Sequence, residues 1–157
     1  MGTTKKSWQE KLRDSKDLPK VVTLQEKAQI HWHGKTMAIP APMEVNEIMA
    51  RVPKGKLITI DIIRQKVAKK HGADIGCPLT SGIFAWIAAH AAEEARREGK
   101  KRITPWWRTL KSDGSLNEKY PGGAENQAKL LKEDGHIVIQ KGKKVRVDQF
   151  EDSLLKI

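Results

Sequence analysis

The chain has 157 residues, enough for one domain with a real core, and its 38% hydrophobic and 31% charged content is that of an ordinary globular protein. Lysine and arginine outnumber aspartate and glutamate by 30 to 19, a net charge of +11 that favours a polyanionic partner, above all nucleic acid. The single cysteine, Cys77, excludes an intramolecular disulfide, no apolar run approaches the roughly 18 residues of a membrane span, and the basic N-terminus lacks the apolar core of a secretory signal, so a cytoplasmic or nucleoid-associated protein is expected.

Residues 1 to about 20 are dense in charge, with Lys5, Lys6, Lys11, Arg13, Lys16 and Lys20. Trp8 and Leu12, spaced i, i+4, fit a short helix docked through one face; a disordered basic tail fits the composition equally well. The MG start alone is no argument for a lipid anchor. VVTLQ and KAQIHWHGKTMAIPAP read as extended segments, punctuated by Pro19, Pro40 and Pro42. In that reading His31 and His33 share one face of a strand.

From Met43 the helical period is clearer. Val45, Ile48, Met49 and Val52 predict a helix stopped by Pro53 and Gly55. Thr59 is placed to cap the next helix, Asp61 suits its positive end, and Ile62, Ile63, Val67 and Ala68 line one face before Gly72 stops it. After the turn GADIGCP, Thr80 or Ser81 is expected to cap a long helix ended by Gly99. Its apolar stripe reads as Ile83, Phe84, Ile87, Ala88, Ala91 and Ala95, with a small opposite face at Ala85 and Ala89. Glu93 and Glu94 fall on the polar side, as solvated charge balanced by Arg96 and Arg97.

Two helices joined by a short glycine-containing turn make a helix-turn-helix pattern, although any helical hairpin shares it. RITPWWRTLKSDG, residues 102 to 114, has no period and sets Trp106 and Trp107 side by side in a loop. Asp113-Gly114 is a strong turn pair. GAENQAKLLKEDG predicts a helix stopped at Gly135, and HIVIQKGKKVRVDQF a β-hairpin with a basic tip, where a winged helix-turn-helix carries its wing. The expected fold is therefore α/β and mostly helical. A winged helix-turn-helix domain with a C-terminal hairpin covers 41–157, and residues 1–40 form a basic N-terminal extension.

Three blocks carry a resemblance. VPKGKLIT at 52–59, TPWWRTLKSDGSL at 104–116 and YPGGAENQAKLLKEDG at 120–135 stand in the order and spacing of motifs in the C-terminal, DNA-binding domain of the O6-alkylguanine-DNA alkyltransferases. The chain resembles that family over about half its length, from Pro53 to Gly135, and shows no match in its first 40 residues. The resemblance implies a winged domain that draws a flipped guanine into a pocket and takes its alkyl group onto a cysteine. Here the nucleophile position falls on Trp106, the histidine that activates it on Trp107 and the glutamate that orients the histidine on Asp134. The network asparagine has no counterpart around Ala89 to Ala91, the tyrosine of the first motif falls on Ile60, and the arginine that replaces the flipped base in the stack falls near Thr80 or Ser81. Gly82, Ala85 and Ala88 partly keep the small residues that bring the recognition helix to the minor groove.

Indole has no lone pair with which to accept an alkyl group, so the frame of the site survives without its chemistry. Alkyltransferase-like proteins make a similar cysteine-to-tryptophan replacement, keep the histidine, and bind alkylated guanine without repairing it. The resemblance thus implies a non-catalytic binder of double-stranded DNA, alkylated DNA included, with no cofactor and with a downstream repair protein as a further partner. Phosphates would be held by Lys54, Lys56, Lys141, Lys143 and Lys144 and by the start of the long helix at Thr80, Ser81, Gly82 and Ala85. Arg108 and Tyr120 would support the loop. Trp106 and Trp107, beside Asp134, either stack on a base in the degenerate pocket or fill its space as core.

Two readings from other classes stand beside this one. A thiol at a helix start can be reactive, so Cys77 could serve a methyltransferase or another enzyme. Alternatively the winged fold has lost DNA and docks proteins. His31 and His33 with His71, His90 and Cys77 lack the CxxC spacing of a zinc site, and no metal is expected.

Overall fold

The computed structural model describes residues 6–156; Lys5 and the MG start lie outside the described residues. Helix α1 (Trp8–Arg13) begins with a reciprocal cap, in which the Glu10 N–H donates to Ser7 Oγ and the Ser7 N–H donates to Glu10 Oε1. Leu12 is buried and Trp8 packs on the core, so this segment is the docked helix and not a tail.

Strand β1 (Lys20–Thr23) pairs antiparallel with β2 (Thr36–Ile39). Between them the sequence led us to expect extended chain, but Glu26–Trp32 is helix α2. Glu26, Lys27, Ala28 and Gln29 are good helix formers, and His33, at φ 56°, ends the helix in the left-handed conformation ahead of Gly34. His31 therefore lies in the last helical turn and His33 beyond it, and the shared strand face does not exist. Among the described residues no group of three His, Cys, Asp or Glu side chains is placed to hold a metal.

Helices α3 (Pro42–Ala50), α4 (Ile60–His71) and α5 (Pro78–Arg97) build the main core with Val45, Met49, Ile63 and Val67. Glu44 pins α3 to α4. Its buried carboxylate accepts from the Ala41 N–H at 2.9 Å and meets His71 Nε2 at 2.6 Å and Lys70 Nζ at 2.8 Å. Gly72, at φ 65°, stops α4 as expected. In the turn to α5, β4 (Ile75–Gly76) pairs parallel with β2, so the extension shares a sheet with the helix-turn-helix turn. Only glycine fits at Gly76, where a Cβ would stand 2.2 Å from the Arg64 carbonyl oxygen.

Helix α5 departs from its sequence reading in three ways. It starts one turn early, with Cys77 at the cap and Pro78 in the first helical position, where a missing N–H costs nothing. Thr80 and Ser81 therefore sit inside the first turn, and neither hydroxyl has a partner. The buried face is also shifted: Ala88, Ala91 and Ala95 of the expected stripe are inside, but so are Ala85 and Ala89 of the face expected opposite, and Ile83 is outside. Ser81 and Ala92 are buried too, and Phe84 and Ile87 are half-buried. Small residues are inside because α1 and α3 pack closely along α5, and two helix backbones approach only where side chains are short. Finally, Glu93 and Glu94 are not on a solvated face, although Arg96 balances Glu93 as expected. Glu93 is buried and paired with Arg96 at 2.6 Å, and Glu94 accepts from the Trp8 and Gln9 backbone N–H groups at 3.2 and 3.1 Å. It thereby caps the start of α1 from across the fold. Burial alone would raise the Glu94 carboxyl, but the Gln9 and Trp8 donors hold it below the usual carboxylate range.

Beyond α5 the chain makes a single 3-10 turn at Trp106–Arg108 and enters β5 (Thr109–Leu110), which lies parallel to β3 (Ile58–Thr59). Helix α6 (Gly123–Glu133) follows, then the hairpin β6 (Val138–Lys141) and β7 (Lys144–Val147), whose two-residue tip is Gly142-Lys143. Leu57, Leu110, Leu116, Leu131, Val147 and Phe150 form a second core under the hairpin. The architecture is the expected one, α/β with helices dominant and a wing after the helix-turn-helix.

Candidate nucleic-acid interface

The tryptophan loop is the join between the two cores. Trp106 is 0% exposed and meets Trp107 and Tyr120 edge to face, each at 5.8 Å between ring centroids. Trp107 packs on both cores and donates its Nε1–H to Asp134 Oδ2 at 2.9 Å. Arg108 covers the Trp107 ring at 5.3 Å, binds both Asp134 oxygens at 2.6 and 3.2 Å, and donates to the Val52 carbonyl at 2.8 Å. Burial would raise the Asp134 carboxyl, yet the Arg108 guanidinium and the Trp107 N–H hold it below the usual carboxylate range. Burial pushes the Tyr120 phenol well above its ordinary range.

This geometry corrects the base-pocket assignment of Trp106, Trp107 and Asp134. Trp106 has no face left to stack on a base, Trp107 is half-buried with Arg108 over its ring and its N–H held by Asp134, and Asp134 is already satisfied. Tyr120 is buried, and the Arg108 side chain is 13% exposed and held by Asp134 and the Val52 carbonyl, so both support the loop from inside. Ser81 and Ala85 are likewise buried in the packing face of α5 and cannot touch a groove. Gly82 keeps an open side, since a Cβ there would meet nothing within 4 Å. Thr80 is half-buried in the first turn. Cys77 is buried at the helix cap.

The lysines do reach solvent. Lys54, Lys56, Lys141, Lys143 and Lys144 are all exposed. Lys144 pairs with Asp113 at 2.8 Å, and with Ser115 it depresses the Asp113 carboxyl far below its ordinary value. Gly114 turns the chain beside this pair at φ +83°, with the Phe150 ring where a side chain would go.

The wing and α5 are physically continuous. The Val147 N–H donates to the Gly114 carbonyl at 3.1 Å and the Leu116 N–H to the Val145 carbonyl at 2.8 Å. Three residues on, the Lys119 carbonyl accepts from Trp86 Nε1 and His90 Nε2, each at 3.1 Å. Segment 111–119 thus links the hairpin to the outer face of α5. That face carries Leu79, Ile83 and Trp86, at i, i+4 and i+7, which the sequence reading did not single out as a functional set. The spacing was there to be seen; size-ranked hydrophobicity assigned Ile83 to the core.

A hairpin wing beside a helix-turn-helix whose second helix is open at its start makes a winged helix-turn-helix fold. Among solved structures the chain is similar to Atl1 of S. pombe in complex with damaged DNA containing O6-carboxymethylguanine, at 18% identity and a TM-score of 0.49, over 74% of this chain and 94% of that one. It is similar also to S. pombe ATL in complex with DNA, at 18% identity and a TM-score of 0.48, over the same shares. No protein-family model and no curated protein matches the chain.

Proposed function

We propose that this chain binds double-stranded DNA, alkylated DNA included, without changing it covalently, in the manner of the alkyltransferase-like proteins it resembles. The observation that carries the reading is the continuous surface from the lysine-tipped hairpin through segment 111–119 to the open start of α5. Lys54, Lys56, Lys141 and Lys143 neutralise phosphates, and Lys144 joins them at the cost of its bond to Asp113. These contacts position the duplex and carry little sequence information.

Alkyl transfer has no acceptor at the position the resemblance assigns to it. Trp106 offers neither a thiolate nor an open pocket, and Trp107 offers no base. The one thiol, Cys77, is buried at the cap of α5. Incubation with a duplex carrying O6-methylguanine leaves the intact protein mass unchanged while the DNA is retarded in a gel. A stoichiometric methyl on Cys77, absent in Cys77→Ser, would overturn the non-catalytic reading.

A further inference from the structure

The N-terminal extension, which the resemblance does not cover, builds one side of a groove. Helix α1, docked on α5, lines it with Leu12, α3 adds Met43, and the last turns of α5 add Ala91, Ala92 and Ala95. The groove holds about 240 Å³, the scale of a side chain and not of a whole element. Leu12 and the three alanines are buried and give it an apolar floor, while Met43 stays 38% exposed.

Three cations stand around this floor. Arg13 from α1, and Lys100 and Arg102 from the segment after α5, line the groove and are exposed. None of them forms an ion pair among the described residues. No carboxylate lines the groove. Glu94 and Glu98 take the Gln9 side-chain amide at 3.0 and 2.7 Å, so their charge ties α1 to α5 instead. Further hydrogen bonds fix the cationic segment. Past Gly99, at φ +98°, the chain folds back and the Lys100 N–H donates to the Ala95 carbonyl at 3.1 Å. Thr104 Oγ1 donates to Asn46 Oδ1 at 2.8 Å and fastens the same segment to α3.

We infer that this groove docks an acidic peptide segment of a partner protein. One aliphatic side chain sits on the alanine floor, and flanking carboxylates meet Arg13, Lys100 and Arg102. Unpaired cations around an apolar pit complement both halves of such a segment. A duplex complements only one half, since its phosphates would meet the cations but carry nothing apolar to bury in the pit. At a helical rise of roughly 1.5 Å per residue, Ala92 stands about 20 Å along α5 from Leu79, which leaves the open start of the helix free. Partner and DNA are therefore held at once. That simultaneity rests on the DNA binding proposed above; the groove itself does not.

The probe is a labelled, end-blocked nonapeptide of aspartates around a central leucine, followed by anisotropy with the full chain. The wild type is expected to bind it at low ionic strength and to release it as salt rises. Replacing the peptide's leucine by alanine, or its aspartates by asparagines, should weaken binding. Arg13→Ala/Lys100→Ala/Arg102→Ala, with an unchanged melt because all three side chains are exposed, should bind it about tenfold or more weakly. Met43→Asp, which brings a carboxylate to the groove, should weaken it too. A saturating duplex should leave the peptide bound. No binding by the wild type, equal binding by the triple variant, or indifference to the leucine overturns the inference. Displacement of the peptide by duplex makes the three cations part of the DNA surface and also overturns it. Peptide binding by a chain that fails to bind duplex leaves the groove standing and removes the DNA reading instead.

Discussion

Trp106→Ala is expected to melt roughly 10–15 °C below the wild-type chain. Truncating a fully buried tryptophan costs about 3–5 kcal/mol, and a chain of this length loses about 2–4 °C per kcal/mol. Trp106 is 0% exposed and touches Trp107 and Tyr120, so its loss opens a cavity where the two cores meet. Its indole N–H has no partner in the protein. Trp106→Phe therefore sacrifices no hydrogen bond and should recover most of the loss. At a temperature where both variants remain folded, DNA affinity should match the wild type. An unchanged melt together with a large loss of affinity would return Trp106 to a base-stacking role.

Arg108→Ala is expected to cost nearly as much, for a different reason. The Arg108 and Asp134 side chains are only 13% and 6% exposed, and the pair is bidentate. Removing the guanidinium leaves a buried carboxylate held by the Trp107 N–H alone, a loss of about 3–5 kcal/mol. The pH dependence identifies the cause. The folded pKa of Asp134 is depressed, so the pair's contribution is fully present above the unfolded aspartate pKa of about 3.9 and fades as pH falls through the folded value. The gap in melting temperature between Arg108→Ala and wild type should thus be widest near neutrality and narrow in acid. A gap that stays constant down to the acid limit would mean that lost packing, not the ion pair, sets the cost.

Some of this was legible in the sequence. Helices α3, α4 and α6 and the wing announce themselves by period and by glycine stops at Gly55, Gly72, Gly135 and Gly142. Helix α2 did not, because it is only seven residues long, buries none of them fully and alternates in polarity like a strand. The inner face of α5 was read in part: Ala88, Ala91 and Ala95 are buried as expected, whereas Ile83 is outside and Ala85 and Ala89 are inside. Hydrophobicity ranks isoleucine above alanine, whereas close helix packing selects the smaller residue. Glu94 capping α1 could not be read at all, since its partners lie 85 and 86 residues away. The tryptophan pair posed a choice between stacking and packing that only burial could resolve, and the answer came with a partner, Arg108–Asp134, that spans 26 residues.

That the chain is a DNA binder held chiefly by phosphate contacts is tested most directly by fluorescence anisotropy of a labelled duplex across a salt series. Engagement of about five phosphates predicts a log–log slope of affinity against salt of about −4 to −5. No binding at low ionic strength, or an affinity indifferent to salt, would contradict the account.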